Sequence, residues 1–106
     1  MAKPDRSDEG SVTTQSETKQ KTQRPALYKV LLHNDDYTTK EFVVFILETV
    51  FHRAEVEAVQ IMLHVHNTGV GVAGVYPYDV AQAKVHKVIE LAEQHEYPLM
   101  SSLEPE

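Results

Sequence analysis

The apolar side chains of this chain begin abruptly at Pro25, and that break sets how much of it can fold. Residues 1 to 24 contain three apolar side chains, Met1, Ala2 and Val12, among Lys, Asp, Glu, Ser, Thr and Gln. So few cannot offset the entropy of ordering the segment, and residues 1–25 are expected to be a disordered tail. Residues 26–106 are dense in Val, Leu, Ile and Phe, enough for one modest domain.

Charge divides at the same boundary. The tail carries five basic groups (Lys3, Arg6, Lys19, Lys21, Arg24) and four acids (Asp5, Asp8, Glu9, Glu17). Of the chain's ten basic and sixteen acidic residues, five and twelve remain for the domain, a net charge of about −7 with histidine neutral. Such a domain repels phosphate backbones, so no nucleic-acid partner is expected, whereas a cationic ligand is well suited to it. No cysteine is present, which excludes a disulfide framework, a thiol nucleophile and a cysteine zinc site. Lys3, Asp5 and Arg6 are not followed by the apolar run of a signal peptide, and no stretch approaches the ~20 apolar residues of a membrane span. The expected setting is the cytoplasm, without membrane contact, and the expected state a monomer.

Along the domain, Leu27 to His33 reads as a strand, stopped by Asn34-Asp35-Asp36, whose side chains favour turns. Thr38-Thr39-Lys40-Glu41 fits a capping box with Thr38 as N-cap. The helix after it, about 39–51, sets Phe42, Val43, Ile46, Leu47, Val50 and Phe51 on one stripe, with Val44 and Phe45 facing a second partner. A second helix, about 54–67, carries Val59, Met62, Leu63 and His66 on one face, and Gly69 is placed to end it in a left-handed conformation. Val70 to Tyr76 reads as a strand whose glycines allow close approach. Pro77 and Asp79 suit the start of a third helix with an inward stripe of Ala81, Val85, Val88 and Ala92, and Leu99 to Leu103 gives a last strand. The order β-α-α-β-α-β predicts an α+β fold, a small three-stranded antiparallel sheet with three helices on one face.

Three kinds of chemistry compete for the polar residues. Six histidines invite a metal site, but His64 and His66 are two residues apart, which on a helix points the rings away from each other, so no metal or other cofactor is expected. Asp35 and Asp36 with a distant histidine suit acid–base work, yet no nucleophile motif accompanies them, and no enzymatic activity or catalytic residue is expected. Recognition is the third reading. Asn34, Asp35 and His66 flank the apolar Val43, Met62, Val65 and Leu99, and would make an apolar pocket with an electronegative mouth if the turn meets the second helix. A turn beside ordinary core is the plain alternative.

The residues that carry this third reading are also the ones that look familiar. Leu-Tyr-Lys-Val-Leu-Leu-His-Asn-Asp-Asp-Tyr-Thr (27 to 38) and Glu-Phe-Val (41 to 43) are followed by Ile-Met-Leu-His-Val-His (61 to 66). Gly-Val-Gly-Val-Ala-Gly-Val-Tyr (69 to 76) and His-Glu-Tyr-Pro-Leu (95 to 99) complete the series. In order and spacing this resembles the ClpS family of adaptors for the ATP-dependent Clp protease, over residues 26 to 104. The resemblance implies an adaptor that binds N-end-rule degradation signals, N-terminal Leu, Phe, Tyr or Trp, and passes their bearers to the N-terminal domain of ClpA in the ClpAP protease. It implies that Asn34, Asp35 and His66 hold the α-amino group and that Asp36, Thr38, Val43, Met62, Val65 and Leu99 shape the side-chain pocket. It implies that Asp79, where Glu is common, and Lys84 face ClpA, and that the tail engages the unfoldase during delivery. The chain departs from the family at Thr39-Lys40, where Pro-Met is usual; that Met helps form the pocket wall, so Lys40 is expected to alter preference or weaken binding. Pro77, where Thr is frequent, changes the capping of the third helix. The alternative is a related α+β interaction module whose specificity for N-termini is altered or lost.

Overall fold

A computed structural model describes residues 25–106. The tail expected over residues 1–25 lies, Pro25 apart, outside the described residues. Strand β1 (Leu27–His33) turns its alternating sequence into two faces: Val30 and Leu32 are fully buried, while Leu31 and His33 are half-exposed on the opposite side. It lies at the centre of a sheet of order β2-β1-β3, antiparallel to both β2 (Val70–Pro77) and β3 (Met100–Pro105). Helices α1 (Lys40–Thr49), α2 (Glu55–Thr68) and α3 (Tyr78–Gln94) cover the face of Val30 and Leu32. The other face leaves Val70, Val72 and Val75 partly open to solvent. The expected α+β order and layering are those of the molecule.

The stripe expected for α1 is the one that packs: Phe42, Val43, Ile46 and Leu47 are buried in the helix, and Val50 and Phe51 just after it. Phe45, on the second side, stacks tilted against Phe42 and against His95 beyond the end of α3. In α2 the buried face is Ala58, Met62 and Val65, so the expected stripe is rotated. Leu63 and His66 point outward, and Val59 is half-buried. Small residues explain the rotation, because Ala58 and Gly71 let α2 lie close on β2. A Cβ added at Gly71 would stand 2.7 Å from Val65 Cγ2, nearer than side chains tolerate.

One irregularity fixes β2. Its register against β1 shifts between Val30 and Leu31, leaving Ala73 as the extra residue of a bulge. Ala73 is fully buried, and its carbonyl accepts from both Nε and an Nη of Arg53, at 3.0 and 2.8 Å. The α1–α2 connection is thereby tied to the middle of the strand. On the other side of the sheet, the buried Ser101 hydroxyl donates to the Leu31 carbonyl at 2.7 Å and leaves no unpaired polar group there.

Candidate functional site

The site grows from the end of β1. The N–H of Asn34 donates to the carbonyl of Gly69 at 2.9 Å, joining the turn after β1 to the end of α2. Gly69 adopts φ 96°, a left-handed conformation that costs other residues a Cβ clash, and its own N–H closes on the Val65 carbonyl. This pair of bonds brings Asn34 beside the last turn of α2, which carries Val65 and His66. The meeting of turn and helix, open at the level of sequence, takes place.

Asp35 then organises the next four residues. Its Oδ1 accepts from the N–H of Tyr37 at 2.8 Å and of Thr38 at 2.7 Å, and its Oδ2 accepts from the Thr38 hydroxyl at 2.7 Å. Burial is the largest single influence on the carboxyl and pushes it up, but the hydrogen bonds from the Thr38 hydroxyl and from the two backbone N–H groups together outweigh it. The group therefore titrates below its ordinary value of 3.8 and is ionised at neutral pH. Thr38 is consequently engaged by Asp35 and does not cap α1. The N-cap is Thr39, whose Oγ1 accepts from the N–H of Phe42 at 3.1 Å, one residue later than the capping box predicts. The residue three beyond Thr39 is Phe42, so the reciprocal half of the box is missing, and Glu41 contributes as an acid in the first turn.

Between this turn, the start of α1 and the end of α2 lies a cavity of about 420 Å³, a size typical of small-ligand sites. Asn34, Asp35, Asp36, Thr38 and His66 line it as polar groups, Val43, Met62 and Val65 as apolar ones, and Lys40 is among its walls. Tyr37, Thr39 and Glu41 also line it and were not anticipated, although they are contiguous with residues that were. Leu99 does not. It is 2% exposed, buried in the core with Val88 and Ala92, because β3 starts one residue later and Leu99 points inward. Among the described residues, no group of three or more His, Asp or Glu is arranged to hold a metal ion, and no helix is long and apolar enough to cross a membrane.

Asp79 and Lys84 stand elsewhere. They line a groove of about 620 Å³ between the C-terminal half of α1 and the exposed side of α3, together with Phe45, Thr49, Val80 and Leu91. Asp79 is an exposed acid in the first turn of α3. Lys84 has a structural task as well: its Nζ donates to the carbonyl of Val50, the C-cap of α1, at 2.6 Å and lies 5.4 Å from the centre of the Tyr76 ring. With no basic residue in the last turn of α1, Lys84 supplies the cation that a helix C-terminus favours. The cavity and the groove share no lining residue; α1 contributes its first turns to one and its last turns to the other.

Comparison with known proteins agrees in every direction. Residues 23–102 match the family model described as ATP-dependent Clp protease adaptor protein ClpS. The chain is 62% identical over 96 residues to the ATP-dependent Clp protease adapter protein ClpS of Myxococcus xanthus, covering 91% of this chain and 90% of that protein. It is 57% identical over 91 residues to that of Hyphomonas neptunium, covering 86% and 77%. Among solved structures, Agrobacterium tumefaciens ClpS2 bound to L-phenylalaninamide superimposes with a TM-score of 0.75 at 41% identity, over 78% of this chain and 100% of that one. With an α+β fold shared with ClpS2 and a family match over most of its length, the chain belongs to the ClpS family of adaptor proteins for the ATP-dependent Clp protease.

Proposed function

We propose that this adaptor binds proteins through a free N-terminal Leu, Phe, Tyr or Trp and delivers them to ClpA for degradation by ClpAP. The observation that carries the reading is the convergence of Asn34, Asp35 and His66 with Val43, Met62 and Val65 on one cavity. An α-amino group has a pKa near ~8 and is a cation with three donors at neutral pH. The Asn34 side-chain oxygen, the Asp35 carboxylate and a neutral His66 ring are its three acceptors, and the N-terminal side chain lies on the apolar wall. L-phenylalaninamide, the ligand of Agrobacterium tumefaciens ClpS2, has these same two parts, a free α-amino group and a hydrophobic side chain.

Magnitudes support binding of useful strength. Burying a Leu or Phe side chain contributes about 1.5–3 kcal/mol, and each hydrogen bond to a charged group about 1.5–3 kcal/mol. Less the cost of association, micromolar or somewhat tighter affinity follows. Selectivity for a free N-terminus follows from the opposite case: an internal or acetylated residue brings no cation and leaves the polar mouth unpaired.

Delivery belongs to the groove of Asp79 and Lys84, an apolar surface edged with both charges and separate from the cavity, so that ClpA and a bound N-terminus do not compete. The test is a fluorescence-anisotropy titration of a Phe-initiated peptide beside its N-acetylated form. Binding of the first and not the second is expected, and equal binding of the two would reject the pocket.

A further inference from the structure

A smaller cavity of about 330 Å³ adjoins the first one. It is lined by Lys40, Glu41, Val44 and Met62, of which Lys40, Glu41 and Met62 also line the first. Only Val44 is its own. We infer that this cavity is a second subsite, which takes the side chain of the residue following the substrate's N-terminus and favours an aliphatic one of medium size. The inference rests on the reading of the first cavity given above.

Position and chemistry both point to that occupant. Val44 stands one helical turn beyond Lys40 on α1, so the second cavity is displaced along the helix by about 5–6 Å. Consecutive Cα atoms of an extended peptide are about 3.8 Å apart. A peptide held by its α-amino group at Asn34, Asp35 and His66 therefore has its second side chain within reach of Val44, without any change in the first. The shared Lys40, Glu41 and Met62 make the two cavities one continuous surface.

Met62 is nearly buried and Val44 half-buried, so apolar atoms form the base of the second cavity. The charges of Lys40 and Glu41 are opposite in sign, so an acidic or a basic second residue meets as much repulsion as attraction. An aliphatic side chain gains area against Val44, the thioether of Met62 and the methylenes of Lys40 and Glu41, with no charge to desolvate.

The test uses the full chain and four labelled peptides that begin Phe-Leu, Phe-Ala, Phe-Glu and Phe-Lys and are otherwise identical, each also in N-acetylated form. Anisotropy titration should give Phe-Leu about fivefold tighter than Phe-Ala, with Phe-Glu and Phe-Lys within about twofold of Phe-Ala. Val44→Thr should reduce the Leu advantage below about twofold and leave Phe-Ala affinity unchanged, which also serves as its folding control. Equal binding of Phe-Leu and Phe-Ala, with both still abolished by acetylation, would overturn the subsite and leave the first cavity standing. A Leu advantage that survives Val44→Thr overturns it too. If acetylation changes nothing, the first reading fails and the subsite with it.

Discussion

Thr38 donates to both carboxylate oxygens of Asp35, its N–H to Oδ1 and its hydroxyl to Oδ2, each at 2.7 Å. The plain reading of Asn-Asp-Asp as a turn and the functional reading of it as an amino-group acceptor thus describe one object. The bonds that fold the turn also keep the carboxylate ionised and fix it at the cavity.

Two substitutions separate those roles. Asp35→Asn keeps an acceptor for the Tyr37 and Thr38 N–H groups but removes the charge, so it should fold with at most about 1 kcal/mol lost and bind a Phe-initiated peptide more than tenfold more weakly. Asp35→Ala removes the turn acceptor as well and should lower stability by about 1–2 kcal/mol more. Urea unfolding and anisotropy titration of both variants measure the two effects independently; normal peptide affinity in Asp35→Asn would assign the residue to the turn alone.

The same carboxylate predicts an acid dependence. Its folded pKa lies below 3.8, so the stability it provides is fully present above that value and is lost as pH falls through the lower, folded one. The difference in unfolding free energy between the wild type and Asp35→Asn should be constant from pH 7 to about 5. It should then begin to shrink near pH 4 and disappear at lower pH. Urea titrations at stepped pH test this, and a difference that grows on acidification would contradict it.

Lys40 lines the cavity with its ammonium near the position proposed for another cation. Lys40→Met should tighten binding of Phe- and Leu-initiated peptides by about three- to tenfold, by removing like charge and adding apolar contact. Discrimination against an Ile-initiated peptide should rise in parallel, as the wall gains a fixed apolar side. Titration of Leu-, Phe-, Trp-, Tyr- and Ile-initiated peptides against both proteins gives the profiles, and superimposable ones would remove Lys40 from the specificity determinants.

Lys84 needs its two tasks pulled apart. Lys84→Met deletes the bond to the Val50 carbonyl and should cost about 1 kcal/mol, a fall in Tm of about 4–8 °C. Asp79→Lys touches no such bond and should leave Tm within about 2 °C. Both should retain Phe-peptide binding and lose capture by the ClpA N-terminal domain in a pull-down. Loss of capture in Lys84→Met alone would attribute the effect to α1 rather than to the groove.

Gly71 allows a comparison of contact with conformation. Gly71→Ala drives a methyl group into Val65 and His64, and should cost about 1–3 kcal/mol and weaken peptide binding, because Val65 lines the cavity. Gly69→Ala meets no atom within 4 Å, so its cost of about 1–2 kcal/mol comes from the left-handed φ alone. Thermal unfolding together with peptide titration distinguishes the two.

Local pattern was enough for the parts of this protein that depend on neighbours along the chain. The composition break at Pro25, the two-residue period of β1, the α1 stripe from Phe42 to Phe51, the turn at Asn34-Asp35-Asp36 and the left-handed Gly69 were all legible in the sequence. Short-range sterics and hydrogen bonding decide such features within a few residues. What tertiary structure decided were choices between near-equivalent local options. Thr38 and Thr39 are both fit to cap α1, and Asp35 removes the first from contention. In α2, Val59, Met62 and Leu63 make as good a stripe as Ala58, Met62 and Val65, and the face that packs is the one whose small residues admit β2. Leu99 has the same side chain in a pocket or in a core, and the start of β3 turns it into the core. The cavity itself exists only because Gly69 brings the end of α2 to the turn after β1, joining residues more than thirty positions apart through a single backbone hydrogen bond from Asn34.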